Sequence, residues 1–218
     1  MGAAPDGRTS AADRLRDDIL GGVLPPGGRL IEVQLAERYG VGRSAVRAAL
    51  VELDTEGLVQ REANRGATVR RVSVIEAIEI TEARAALEGL VARRAAERAT
   101  DAERAELREL IESMEAAVES GGLAHYSTLN RTLHRRLAEC SRHEIAEELI
   151  ANLRNRAAHH QFRLATVAGR AGESLPQHRA IVDAVVAGDG DAADAAMRAH
   201  LDSVVSVLRH WGELGVSV

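Results

Sequence analysis

Two amphipathic helical patterns separated by only three residues constrain this chain more than any other feature. Glu32–Tyr39 is helical in period and is stopped by Gly40. After Gly40-Val41-Gly42, Arg43–Thr55 carries an apolar face through Val46, Leu50 and Leu53. So short a connection forces the two helices to cross, and Ala36, one turn before the break, is small enough to let them approach. Upstream, Ser10 with Asp13 reads as a capping box for a helix over Ser10–Leu20, with Leu15 and Ile19 on its buried stripe and Gly21-Gly22 as its stop. Pro25-Pro26-Gly27-Gly28 sets a turn, and Arg29–Ile31 follows as a short extended piece. Downstream, Leu58–Arg61 and Ala67–Arg71 are β-like runs joined by Glu62-Ala63-Asn64-Arg65-Gly66. A helix-turn-helix followed by such a hairpin is a winged helix.

From Ser73 onward the strand signal disappears. Six helices are expected, near 74–98, 101–120, 122–140, 142–167, 175–187 and 189–211, with breaks at Thr100-Asp101, Gly121-Gly122, Ser141, Gly169–Glu173 and Gly188-Asp189-Gly190. The expected fold class is therefore mainly α: an N-terminal winged helix-turn-helix plus a C-terminal all-α six-helix bundle without internal repeats. The expected divisions are a tail at 1–9, the winged helix at 10–71, a linker at 72–74 and the all-α part at 75–218.

Of 218 residues, 45% are apolar and 28% charged, enough for one ordinary core and a smaller second one. No stretch approaches the ~20 apolar residues of a spanning helix, and Met1–Ser10 lacks the basic start and apolar run of a signal peptide. A cytoplasmic protein with no membrane partner is expected. The single cysteine, Cys140, excludes an internal disulfide and any CxxC metal or redox motif, and reads as a small buried apolar residue.

The net charge of −5 is unevenly spread. Met1–Arg71 carries eleven Arg against ten Asp/Glu, and the remainder carries seventeen against twenty-three. The basic excess sits at the winged helix, where attraction to phosphate would need it. Arg43, Ser44 and Arg47 lie off the Val46/Leu50/Leu53 face and are expected to be exposed, with two like charges one turn apart that a polyanion would relieve. The first turn of a recognition helix meets base edges, where a guanidinium paired with guanine gives ~1–3 kcal/mol of discrimination. Arg65 at the wing tip could enter a minor groove or grip the backbone, with Gly66 permitting close approach. Double-stranded DNA is the partner these residues suit.

Three of the eight histidines share a further property. His134 sits beside the Leu129/Leu133/Leu137 stripe, His178 precedes Ile181, Val182 and Val185, and His200 lies between Met197 and Val204. Each points into the bundle from a different helix, and Asn130 is one turn before His134 on the same face. Three converging neutral imidazoles with an oxygen donor make a divalent-metal site that leaves room for water or a ligand. Zinc, or else nickel, suits it better than magnesium or calcium.

Leu35–Leu50 (LAERYGVGRSAVRAAL), followed by Glu56-Gly57-Leu58-Val59 and Arg65-Gly66-Ala67-Thr68-Val69, resembles the winged helix of GntR-type bacterial transcription regulators. The helical remainder resembles the ligand-sensing FCD domain of their FadR subfamily, in its VanR-like six-helix variant, so the likeness spans about residues 10–212. That resemblance implies operator contacts by Arg43, Ser44, Arg47 and Gly66. It implies metal ligation by Asn130, His134, His178 and His200, with Asn130 standing where an Asp is frequent. It also implies that Arg84 faces the pocket and clamps a carboxylate, although an exposed Arg84–Glu88 pair at i,i+4 explains that arginine equally well. Departures are Gly42 in place of a Ser or Thr cap, Ala45 in place of Pro and Ala48 in place of Glu.

The implied function is a homodimeric, metabolite-responsive regulator of transcription, not an enzyme, whose DNA binding is modulated by a small carboxylate effector at the metal. The alternatives are a metal-dependent enzyme fused to a winged-helix docking module and a protein-binding adaptor. The histidine contexts contain no HExxH arrangement, and an adaptor has no use for Arg43 and Arg47 at the mouth of helix three.

Overall fold

Ser10 opens the first helix: its hydroxyl accepts from the Asp13 amide while the Asp13 carboxylate accepts from the Ser10 amide, the reciprocal capping box that the Ser-x-x-Asp spacing predicts. In the computed structural model of the chain, which describes residues 10–62, 66–157 and 169–213, this helix is α1 (Ala11–Leu20). It is followed by β1 (Arg29–Leu30), α2 (Glu32–Tyr39), α3 (Arg43–Thr55), β2 (Val59–Glu62) and β3 (Gly66–Val69). Gly40 ends α2 with φ 63°, a left-handed conformation that glycine adopts without steric cost. Leu15, Leu35, Val46, Leu50 and Leu53 close a core under the sheet, as the apolar spacing requires. Arg16 reaches from α1 to Glu52 and Glu56 of α3, and Tyr39 donates to Asp18. Burial, with that bond second, pushes the Tyr39 phenol up to about 12.

The extended piece at Arg29–Leu30 proves to be a third strand. The sheet order is β1-β3-β2, all antiparallel, with Leu30 opposite Ala67 and Val59 opposite Val69. The wing tip, including Arg65, and the tail at 1–9 lie outside the described residues.

The chain divides at Val72–Ser73 into two compact units, with the last residues of α7 grouped with the first. The second unit holds α4 (Val74–Arg98), α5 (Asp101–Glu119), α6 (Leu123–Ser141), α7 (Glu144–Arg156), α8 (Arg170–Ala187) and α9 (Gly190–Glu213). The expected helix over 142–167 is described only as α7, because 158–168 lie outside the described residues. α8 begins five residues earlier than its expected start at 175, so Gly169–Glu173 is not a full break. Pro176 lies inside the helix at its seventh residue, beyond the first turn, so it removes the bond an N–H there would give to the Gly172 carbonyl.

α4 is the frame of this unit and packs chiefly against α9 and α6. Its buried face is built largely from small residues (Ala77, Ala85, Gly89, Ala92, Ala95 and Ala96), so neighbouring backbones come close. A Cβ on Gly89 would stand 2.1 Å from an Asp194 carboxylate oxygen on α9. Leu133, Leu137, Ile181 and Leu201 fill the centre of the bundle, and Cys140 is fully buried among them as a small core residue.

Thr100 and Glu103 form a second complete capping box at the start of α5, whereas Gly42 gives α3 no side-chain cap. Thr100→Ala should therefore lower unfolding free energy by about 1 kcal/mol in a urea titration, while Gly42→Ser should raise it by only a few tenths.

Candidate functional site

His134 on α6, His178 on α8 and His200 on α9 are 7%, 1% and 5% exposed. Their ring centroids lie 5.5 Å (His134–His178), 5.6 Å (His134–His200) and 4.4 Å (His178–His200) apart, and one nitrogen from each falls within 4.8 Å of the others. The three helices bring them together because each histidine shares its helix's apolar face: His134 with Leu133 and Leu137, His178 with Ile181 and Val182, His200 with Met197 and Leu201.

An oxygen stands at Nδ1 of every ring. Glu88 Oε2 is 2.9 Å from Nδ1 of His134, the Tyr126 hydroxyl is 3.1 Å from Nδ1 of His178, and Gln177 Oε1 is 2.9 Å from Nδ1 of His200. Where Nδ1 is the donor to such an oxygen, Nε2 is left free to ligate a metal, the arrangement that orients histidine ligands in metalloproteins. These partners are themselves held. Arg84 Nε donates to Glu88 Oε1 at 2.8 Å, the Tyr126 hydroxyl lies 2.6 Å from Ser174 Oγ, and Ser203 Oγ donates to Gln177 Oε1 at 3.1 Å.

Burial, reinforced by the neighbouring His178 and His134, holds His200 well below the usual imidazole range, so it is the neutral ligand form at neutral pH. Asn130 Oδ1, one turn before His134, is buried and has no hydrogen-bond partner among the described residues. Such an oxygen is costly to leave unsatisfied. Three buried imidazoles whose nitrogens converge in this way could hold a metal ion.

Arg84 makes the i,i+4 pair with Glu88, but the pair is buried, not exposed: the residues are 6% and 2% accessible. Glu88, Tyr126 and Gln177 are members of the site that sequence reasoning missed. The signal for Glu88 was present, since Arg84 and Glu88 continue the α4 face that carries Ala77, Ile80, Thr81 and Ala85.

In the winged-helix unit, Arg43, Ser44 and Arg47 are exposed at the first turns of α3. The expected repulsion between the two arginines is offset within the protein. Arg47 Nε donates to Glu32 of α2 at 2.7 Å and 3.0 Å, with its side chain still 67% exposed. An exposed pair of this kind is worth ~0.2–1 kcal/mol, little enough for a phosphate or a guanine to displace it. Gly66, exposed, begins β3 with φ 90°, a conformation that L side chains rarely adopt.

Residues 8–69 match the bacterial regulatory proteins of the gntR family and residues 79–203 match the FCD domain. The HTH-type transcriptional repressor RspR of Escherichia coli K12 is 29% identical over 195 residues, covering 89% of this chain and 86% of its own. LutR of Bacillus subtilis, an HTH-type transcriptional regulator, is 31% identical over 222 residues, covering 91% of this chain and 99% of its own. Among solved structures, E. coli McbR/YncC superposes with a TM-score of 0.78 at 26% identity over 92% of this chain and 95% of that one. RspR and LutR are transcription regulators and not enzymes, and no described helix here is long and apolar enough to cross a membrane. The chain thus belongs to the gntR family of bacterial transcription regulators, with an N-terminal helix-turn-helix and a C-terminal FCD domain.

Proposed function

We propose that the chain is a metabolite-responsive regulator that binds operator DNA as a homodimer, with occupancy set by a small carboxylate bound at a metal in the helical unit. In this reading residues 10–71 contact DNA after a short tail at 1–9, residues 72–74 connect, and residues 75–218 sense and dimerise. The observation that carries it is the convergence of His134, His178 and His200, each buried and each with an oxygen within 3.1 Å of its Nδ1. His134, His178 and His200 hold the ion, zinc by preference, with Asn130 as the oxygen ligand. Bound there, the ion supplies a Lewis-acidic position for a carboxylate oxygen. Arg84, buried beside Glu88, orients that carboxylate by charge-assisted hydrogen bonds.

On the DNA side, Arg43 and Arg47 read base edges, Ser44 meets a phosphate or base at the uncapped start of α3, and Arg65 and Gly66 bring the wing to the backbone. Glu32 holds Arg47 in place until the duplex takes over its guanidinium. Effector binding that couples to the spacing of the two winged helices by ~1–3 kcal/mol changes operator occupancy by one or two orders of magnitude.

Arg43→Ala and Arg47→Ala should each weaken binding to a duplex selected from a randomised pool by about 1–3 kcal/mol, read by fluorescence anisotropy, with the helical unit's melting unchanged. Undiminished affinity in both variants removes these arginines from readout. Glu32→Gln frees Arg47 from its carboxylate, so binding to unrelated duplex should tighten and its dependence on salt should steepen. For the metal, elemental analysis of purified protein should find zinc or nickel near one per chain, and His134→Ala should cut it by at least about tenfold along with the effector response. Equal metal content in the variant refutes the site.

A further inference from the structure

The three histidines and Asn130 are neutral ligands, so the charge of the site is set by the groups around them. Arg84 and Glu88 cancel in a buried pair. Arg170, the first residue of α8, is 7% exposed and has no such buried partner among the described residues. Among the described residues its guanidinium meets the hydroxyl of Ser203 at 2.9 Å and, at 3.4 Å, the carboxylate of Glu173, a side chain that is 70% exposed and screened by solvent. A buried cation neutralised so weakly is costly.

Arg170 also belongs to the histidine cluster by connection. Its contact Ser203 donates to Gln177, and the same Gln177 oxygen takes Nδ1 of His200, so three hydrogen bonds join the guanidinium to a candidate ligand. With a divalent ion bound, Arg84 and Arg170 against the lone carboxylate of Glu88 leave three positive charges in the core. One carboxylate from an effector removes only one of them.

We infer that Arg170 receives a second anionic group of the effector, so that the site selects small dicarboxylates over monocarboxylates. One carboxylate occupies the metal and Arg84 side, and the other reaches the α8 end at Arg170. This assignment rests on the metal-site reading above, yet it makes a separate demand: the gain from the second charge must run through Arg170.

The test titrates acetate, malonate, succinate and glutarate into the full chain by calorimetry, with and without added zinc. In the native protein the best dicarboxylate should bind at least about tenfold tighter than acetate, the increment of one charge-assisted contact. Arg170→Gln should bring that dicarboxylate down to the acetate level while leaving acetate affinity and zinc stoichiometry unchanged. Arg170→Lys, which keeps the charge without the planar fork, should retain part of the preference. The same Lys variant decides the matter should Arg170→Gln fail to fold, because an undiminished preference in it then counts against a guanidinium contact. The proposal is overturned if no dicarboxylate exceeds acetate, if Arg170→Gln keeps the preference, or if that variant loses acetate and zinc as well, the mark of a purely structural residue. Absence of zinc binding defeats the metal reading alone, since the dicarboxylate preference and its dependence on Arg170 are read in both arms.

Discussion

The helical unit is organised around three neighbouring imidazoles held in a core that water does not reach, one of which, His200, burial keeps neutral. Side by side and buried, they cannot all carry protons, because each charge would repel the next and lose its hydration. Their remaining freedom is rotational, and the oxygens of Glu88, Tyr126 and Gln177 remove it. Those oxygens come from α4, α6 and α8, so the orientation of the rings registers four helices against one another. The histidine cluster is thus less an addition to the bundle than a condition on how its helices stack.

α4 meets that condition by combining two demands on one face. Its small residues let α9 come near, at Gly89 so near that no side-chain carbon fits without displacing Asp194. The same face carries Arg84 and Glu88, a fully desolvated pair whose worth to stability alone is doubtful. Its value lies in direction: Glu88 turns its other oxygen toward His134. A hydrophobic pair of the same volume would pack as well and aim nothing.

Much of this was legible in the residues, for identifiable reasons. Caps and breakers act locally, so Ser10 with Asp13, Gly40 and Thr100-Asp101 marked helix ends within a residue. The histidines were legible because each sits on an apolar stripe, and a polar residue there needs a partner. What escaped depends on distance across the fold. The Glu32–Arg47 pair joins residues fifteen apart on different helices, and periodicity within one helix says nothing of it. Glu88 was hidden because an i,i+4 partner to Arg84 usually marks a solvated surface. The early start of α8 was missed because glycines at 169 and 172 read as a break, although only Gly169 needs a left-handed backbone.

The Glu32–Arg47 contact bears on how such a protein searches a genome. A surface that keeps one guanidinium matched internally shows passing phosphates a smaller net charge than its composition suggests, and so dwells more briefly on irrelevant sequence. In the proposed reading the same guanidinium, at a correct site, would exchange one carboxylate for a base edge of fixed geometry, with little lost. Weak internal pairing therefore widens the gap between wandering and arrival without adding a single new contact.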